Sequence, residues 1–138
     1  MGKREIAKEE TAVDWQMRAI RGATTVPENS AEAIAEAVTE MLDALESQNQ
    51  LDPAQIVSAT FSVTRDLDAI FPAAIARARP RWDSVPLLDV QQMHVKGSLA
   101  RCVRLMIHIP LPICQSEVRH AYLRGARDLR PDLCLTSD

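Results

Sequence analysis

"CVRLMIHI", residues 102–109, reads as a β-strand and carries one residue that a strand interior does not readily accept. Val103, Leu105, Ile107 and Ile109 fall on one face by the two-residue period of a strand, and Cys102, Arg104, Met106 and His108 fall on the other. Arg104 is therefore mid-strand. Its guanidinium keeps its charge at any ordinary pH, and a buried ion without a partner costs several kcal/mol, so an anionic or strongly accepting group has to meet it.

The chain around this strand has 138 residues, 46% hydrophobic and 25% charged, which fits one domain with an ordinary core. We read residues 1–13 as a polar N-terminal extension and residues 14–138 as that domain. The net charge of −3 gives no general attraction to nucleic acid, and the few aromatic residues supply no stacking platform for single strands. Any cationic site is therefore local. No apolar run approaches the roughly 20 residues needed to span a bilayer, and the charged start "MGKREIAKEE" lacks the apolar segment of a secretory signal. The expected location is cytoplasmic, with no membrane or nucleic-acid partner. Cys102, Cys114 and Cys134 have no paired spacing, and with His94, His108 and His120 they form no zinc pattern, so no metal is implied.

Outward from 102–109 the chain alternates strands and helices. "WQMRAIRGATTV" (15–26) predicts a first strand and the loop leaving it. Asn29 stands where it can cap a helix with Glu32 three residues on, and Ile34, Val38, Met41, Leu42 and Leu45 recur at helical spacing to about Ser47. "LDPAQ" is a turn with Asp52 placed to cap and Pro53 at the first helical position, before the strand "IVSATFSV" (56–63). A short helix is expected after Phe71-Pro72, then a strand in "SVPLLDV", a turn at "KGS" (96–98), and a last helix over about 116–124. Pro131 stops any helix near the tail. The sum is an α+β fold, a sheet with two main helices on one face. The Arg104 face is then left to be covered by a neighbouring subunit.

The arginines are the informative residues. Arg21 sits beside Gly22, which permits close approach of another backbone. Arg77, Arg104 and Arg130 could converge with it on a small dicarboxylate through forked hydrogen bonds, although each alone could equally be a structural ion pair. Tyr122 alone could be a helix residue packing its ring in the core.

"IRGATTV" (20–26), "SATFSVTRDLDAIFPAAIAR" (58–77), "VPLLDVQQMHVKGSLARCVRLM" (85–106) and "VRHAYLRGARDLRPDLCLT" (118–136), in this order and spacing, resemble the monofunctional AroH-type chorismate mutases. The resemblance implies a mixed sheet, three subunits packed as a trimeric pseudo-α/β-barrel, and active sites at the subunit interfaces. It also implies conversion of the small-molecule substrate chorismate to prephenate by a Claisen rearrangement on the phenylalanine and tyrosine route, with no covalent intermediate and no cofactor. Carried over by position, Arg104 matches the arginine that donates to the ether oxygen and reaches a carboxylate. Arg21 and Tyr122 match the grip on the enolpyruvyl carboxylate, Phe71 a pocket wall, Arg77 and Arg130 outer cations, and Leu129 a tail contact.

The departures from the family pattern are specific. Gln92 stands where the family usually has a glutamate, and Asp89, three residues earlier, stands where it often has a cysteine. A negative charge moved from one position to the other is the expectation; the alternative is that Asp89 pairs with Arg21, Arg104 or a lysine. Ala74 replaces a lysine and Leu88 a threonine. Two other classes stay open: a trimeric imine deaminase of the RidA type, whose sequence patterns are absent, and a non-catalytic module binding an aromatic-pathway acid. Turnover of chorismate separates them.

Overall fold

The computed structural model describes residues 15–133. The expectation for residues 1–13, and Cys134, lie outside that range. Five strands form one sheet: β1 (Gln16–Thr25), β2 (Ser58–Val63), β3 (Leu87–Gln91), β4 (Cys102–Leu111) and β5 (Ala121–Tyr122). Their order across the sheet is β3-β2-β4-β1-β5. β4 runs antiparallel to both β1 and β2, whereas β2 with β3 and β1 with β5 are parallel. The strand of Arg104 is central, flanked by the long β1 and by β2.

Two helices accompany the sheet, α1 (Ala31–Asn49) and the short α2 (Pro72–Arg77). The apolar stripe of α1, Ile34, Val38, Met41, Leu42 and Leu45, is buried in one cluster with Ile20 of β1, Phe61 of β2 and the odd-numbered residues of β4. Gly22 is what lets α1 lie this close: a Cβ there would stand 3.0 Å from Met41 Sδ and 3.1 Å from Leu45 Cδ1. The close approach at "IRGATTV" is thus made by a helix. Behind α2, Arg79 donates to Asp43 at 2.8 Å and Trp82 Nε1 to Glu46 at 2.8 Å, which ties the connection toward β3 onto α1. Among the described residues no helix is long and apolar enough to cross a membrane.

Several local expectations are corrected. Ser30, not Asn29, caps α1 by accepting from Ala33 N at 3.1 Å; such a cap contributes about 1 kcal/mol. The Asn29 carboxamide instead reaches across to the Asp68 carboxylate and the backbone of Asp68 and Ala69. α1 runs on to Asn49, five turns, with Gln50 left-handed at φ 51° as its C-cap. It is the single main helix, since α2 has only six residues. The 56–63 strand starts at Ser58, because Ile56 N still donates to Pro53 O and closes a 3-10 turn capped by Asp52.

The predicted last helix over 116–124 is absent. A 3-10 turn at Gln115–Glu117 leads instead into β5, and a second 3-10 segment follows at Arg124–Leu129. Val118, Ala121 and Tyr122 recur at helical spacing and are all buried, which explains the expectation. Backbone hydrogen bonding decided otherwise. The outer edge of β1 offers unpaired donors and acceptors there, and a strand satisfies them where a helix cannot.

The face of the sheet opposite the helices carries Met17, Ala19, Arg21 and Ala23 of β1, Thr60 and Ser62 of β2, Leu88 and Val90 of β3, and Arg104, Met106 and His108 of β4. No element of the described chain covers it fully: Met17 is 51%, Leu88 58% and Val90 40% exposed. Arginines and large apolar side chains share this uncovered face.

Candidate functional site

Arg104 is half-buried at the middle of β4, opposite Ala23 on one side and Ser62 on the other. Two positions along β1 and facing the same way is Arg21. β5 places Tyr122 in register with Ala23, so the phenol lies at the edge of the same patch, buried with Ala23 and Ala126 and packed by Leu99 and Leu129. Tyr122 is thus a strand residue, not the helix residue that the sequence suggested. The 3-10 segment after β5 brings Leu129 and Arg130 over it. Arg21, Arg104, Tyr122, Leu129 and Arg130 line one cleft of about 390 Å³, with Thr60, Ser62 and Met106 on its floor. The reading of the sequence had not singled out Thr60 and Ser62; their signal is the polar alternation in "SATFSV" against buried Ala59 and Phe61.

Two of the three arginines in this cleft, Arg21 and Arg104, differ from the paired arginines of the chain. Arg79, Arg81 and Arg124 each hold a carboxylate, and Arg130 forks onto Asp132 at 3.1 and 2.9 Å. Among the described residues no salt bridge engages Arg21, Arg77 or Arg104. Arg104 Nε is buried without a hydrogen-bond partner, as is Gln92 Oε1. Buried polar atoms are satisfied in the great majority of cases, so an unpaired guanidinium N–H beside a second free guanidinium marks a place for an anion. Burial pushes the nearby Cys102 thiol upward in pKa, against the charge and side-chain hydrogen bond of Arg104, so no thiolate neutralises it.

Phe71, Asp89 and Arg77 lie elsewhere. The pleat of β3 puts Asp89 in register with buried Phe61, on the helix-covered side, and Phe71 and Asp89 line a second cleft of about 510 Å³ beside α2. Phe71 is 70% exposed at its rim. The Asp89 carboxylate accepts from Ala73 N at 3.0 Å, at the start of a helix whose own N-cap, Phe71, provides no side-chain bond. Burial raises the Asp89 pKa above its ordinary value, while the Ala73 N–H and the Arg77 charge pull it down. Among the described residues its partners are therefore the Ala73 N–H and the Arg77 charge, not Arg21, Arg104 or a lysine. Gln92 follows β3 directly, its N–H donating to Val63 O at 2.8 Å, and lines neither cleft. Ala74 is half-buried in α2 and Leu88 exposed on the uncovered sheet face, and neither lines either cleft.

Within one chain the candidate residues other than Arg77 and Gln92 thus line two half-sites. One is cationic, on the uncovered sheet face. The other is an apolar-walled cleft with a carboxylate.

Comparison with known proteins places this arrangement. The family model described as chorismate mutase type I matches residues 17–133. The chain is 38% identical over 122 residues to chorismate mutase AroH of Bacillus subtilis, covering 88% of this chain and 96% of that protein. It is 42% identical over 118 residues to chorismate mutase AroH of Thermus thermophilus, covering 85% and 96%. Among solved structures, a chorismate mutase from Clostridium thermocellum superposes with a TM-score of 0.77 at 40% identity, covering 80% of this chain and 97% of that one. The fold, the arginine-lined cleft and these matches over nearly the whole described chain agree: the chain belongs to the type I chorismate mutase family.

Proposed function

We propose that the protein converts chorismate to prephenate, in phenylalanine and tyrosine biosynthesis, as a homotrimer whose sites lie between subunits. The observation that carries this reading is the pair of guanidinium groups, Arg21 and Arg104, facing one cleft with no salt bridge to either among the described residues. Chorismate is a dianion. As its ether bond breaks and a carbon–carbon bond forms, negative charge gathers on the ether oxygen and positive charge on the ring. Arg104 donates to that oxygen and to a carboxylate, Arg21 and Tyr122 hold the enolpyruvyl carboxylate, and Leu129 and Arg130 close over it. Fixed donors at a developing charge typically supply about 10² to 10³ each, and holding the reactive conformer adds more by removing conformational freedom beforehand. No step requires a general base.

Assembly joins the half-sites. The uncovered face with exposed Met17, Leu88 and Val90 is the surface on which subunits pack, and the neighbour's Phe71, Asp89 and Arg77 complete the cleft of Arg104. In this reading Gln92 Oε1 accepts from the ring hydroxyl, and Asp89 supplies the negative charge that the glutamine lacks, opposite the cationic end of the transition state. Its raised pKa fits a carboxylate removed from water and awaiting a positive partner. Incubating the purified protein with chorismate and following loss of the diene absorbance, with prephenate identified as product, tests the proposal. Binding without decay would instead mark a module that holds the acid without rearranging it.

A further inference from the structure

The outer edge of β1 is completed in an uncommon way. The Gln115 carboxamide accepts from Ala19 N at 3.0 Å and donates to Ala19 O at 2.7 Å, in place of a strand. Two residues on, Arg21 N donates to His120 Nδ1 at 2.9 Å, and only from Gly22 onward does β5 take over, with Leu123 N donating to Ala23 O at 2.9 Å. The backbone of Arg21 is thus held by an imidazole at the point where side-chain pairing gives way to strand pairing. His120 is half-buried and lines, with Met106, Gln115, Ser116 and Val118, a cavity of about 690 Å³ that adjoins Arg21.

We infer that His120 is a positioning residue for substrate binding: its neutral imidazole fixes the backbone of Arg21, and so the aim of the guanidinium, through a hydrogen bond that only an unprotonated Nδ1 can accept. A protonated imidazole has donors on both nitrogens. Protonation would therefore leave Arg21 N without its acceptor and set a third positive charge beside two arginines. The charged groups facing the ring are Arg21 on β1 and Arg130 after the last 3-10 segment, with Asp132 forked onto Arg130; the lining residues from the preceding loop are uncharged. Burial and these two arginines hold the His120 pKa below the ordinary histidine value. The ring is accordingly neutral, with its proton on Nε2, through the neutral range. The inference rests on the reading of Arg21 as a substrate-carboxylate ligand.

Three proteins test it: wild type, His120→Ala and His120→Asn. Asparagine carries an oxygen on Cγ where histidine has Nδ1, and it does not titrate. His120→Ala should raise KM for chorismate about 3- to 10-fold, the loss of one ordinary hydrogen bond, with kcat within about threefold of wild type. His120→Asn should restore most of that KM. Wild-type KM should rise as pH falls below the ordinary histidine range, and the His120→Asn profile should lack that limb. Nitrogen-15 NMR of the wild-type imidazoles supplies a readout independent of turnover and of how the variants fold, with His120 showing an unprotonated Nδ1 at neutral pH. A proton on Nδ1 there, equal KM values in the alanine and asparagine variants, or an unchanged KM in His120→Ala overturns the inference. Absence of any chorismate turnover by wild type removes the proposed function instead, while the NMR result still decides whether His120 holds Arg21.

Discussion

On the proposed mechanism, replacing Arg104 should separate catalysis from stability, because its buried Nε has no hydrogen-bond partner among the described residues. In Arg104→Ala the transition state loses a preorganised donor to the ether oxygen, worth about 2.7–4 kcal/mol, and a charge-assisted bond to a carboxylate, worth about 1.5–3 kcal/mol. Their sum, about 4–7 kcal/mol, corresponds to a fall of about 10³ to 10⁵ in kcat/KM. Stability should move differently. Arg104 Nε is buried and unpaired, and no carboxylate among the described residues is bridged to its guanidinium, so truncation orphans no buried charge. Relief of that unsatisfied donor, about 1–3 kcal/mol, opposes the packing lost with the aliphatic stem. The variant should therefore melt within a few degrees of wild type, or above it. Arg104→Lys should recover little activity, since a point charge cannot reproduce a fork spanning two acceptors. The assay is diene loss at several chorismate concentrations, with circular dichroism melting and size-exclusion on the same preparations. Activity within about tenfold of wild type refutes the role of Arg104 at the ether oxygen. A large loss of stability would show instead that its charge is engaged in the folded protein.

Three further outcomes follow from the geometry. Mixing inactive Arg104→Ala with inactive Arg77→Ala subunits should restore part of the activity, because one mixed interface holds both intact residues; no recovery after verified exchange means that the sites are not shared. Asp89→Asn should lower kcat by about 10- to 10³-fold, and Asp89→Cys with Gln92→Glu should regain most of what Asp89→Cys alone loses. Because burial raises the Asp89 pKa in the folded state, that state holds its proton longer than the unfolded chain. Its contribution to stability therefore falls as pH rises from the ordinary carboxylate value to the raised one, while kcat rises over the same window. Asp89→Asn should lose both trends, and a pH profile of kcat unchanged by it would remove Asp89 from the chemistry. Gly22→Ala should destabilise by about 1–3 kcal/mol, read by denaturant melts, as the new methyl meets Met41 and Leu45 at 3.0–3.1 Å; a neutral result would mean that α1 yields freely.

The alternation in "CVRLMIHI" was sufficient to place β4, to assign its two faces and to single out Arg104, because a period of two is a local property of a strand. The same holds for the stripe of α1, for Asp52 and Pro53 at their turn, and for α2 after Phe71. The cap of α1 was misread by one residue because Asn29 and Ser30 are both good caps. A contact 39 residues away drew Asn29 to Asp68 and left the task to Ser30.

What the sequence determined by itself is whatever depends on near neighbours: the periodicity of β1, β2 and β4, the apolar face of α1, and the presence of more arginines than local partners require. The tertiary structure decided everything that depends on a distant backbone. Residues 118–122 have helical spacing, yet become the approach to a strand because the edge of β1, about a hundred residues earlier, needs acceptors and donors, and His120 and β5 provide them. The division of the site has the same origin. Asp89 and Gln92 are three residues apart in sequence, but the pleat turns Asp89 toward α2 and away from Arg104. Which carboxylate faces which guanidinium within the chain is therefore set by pairing between strands, where no local pattern can record it.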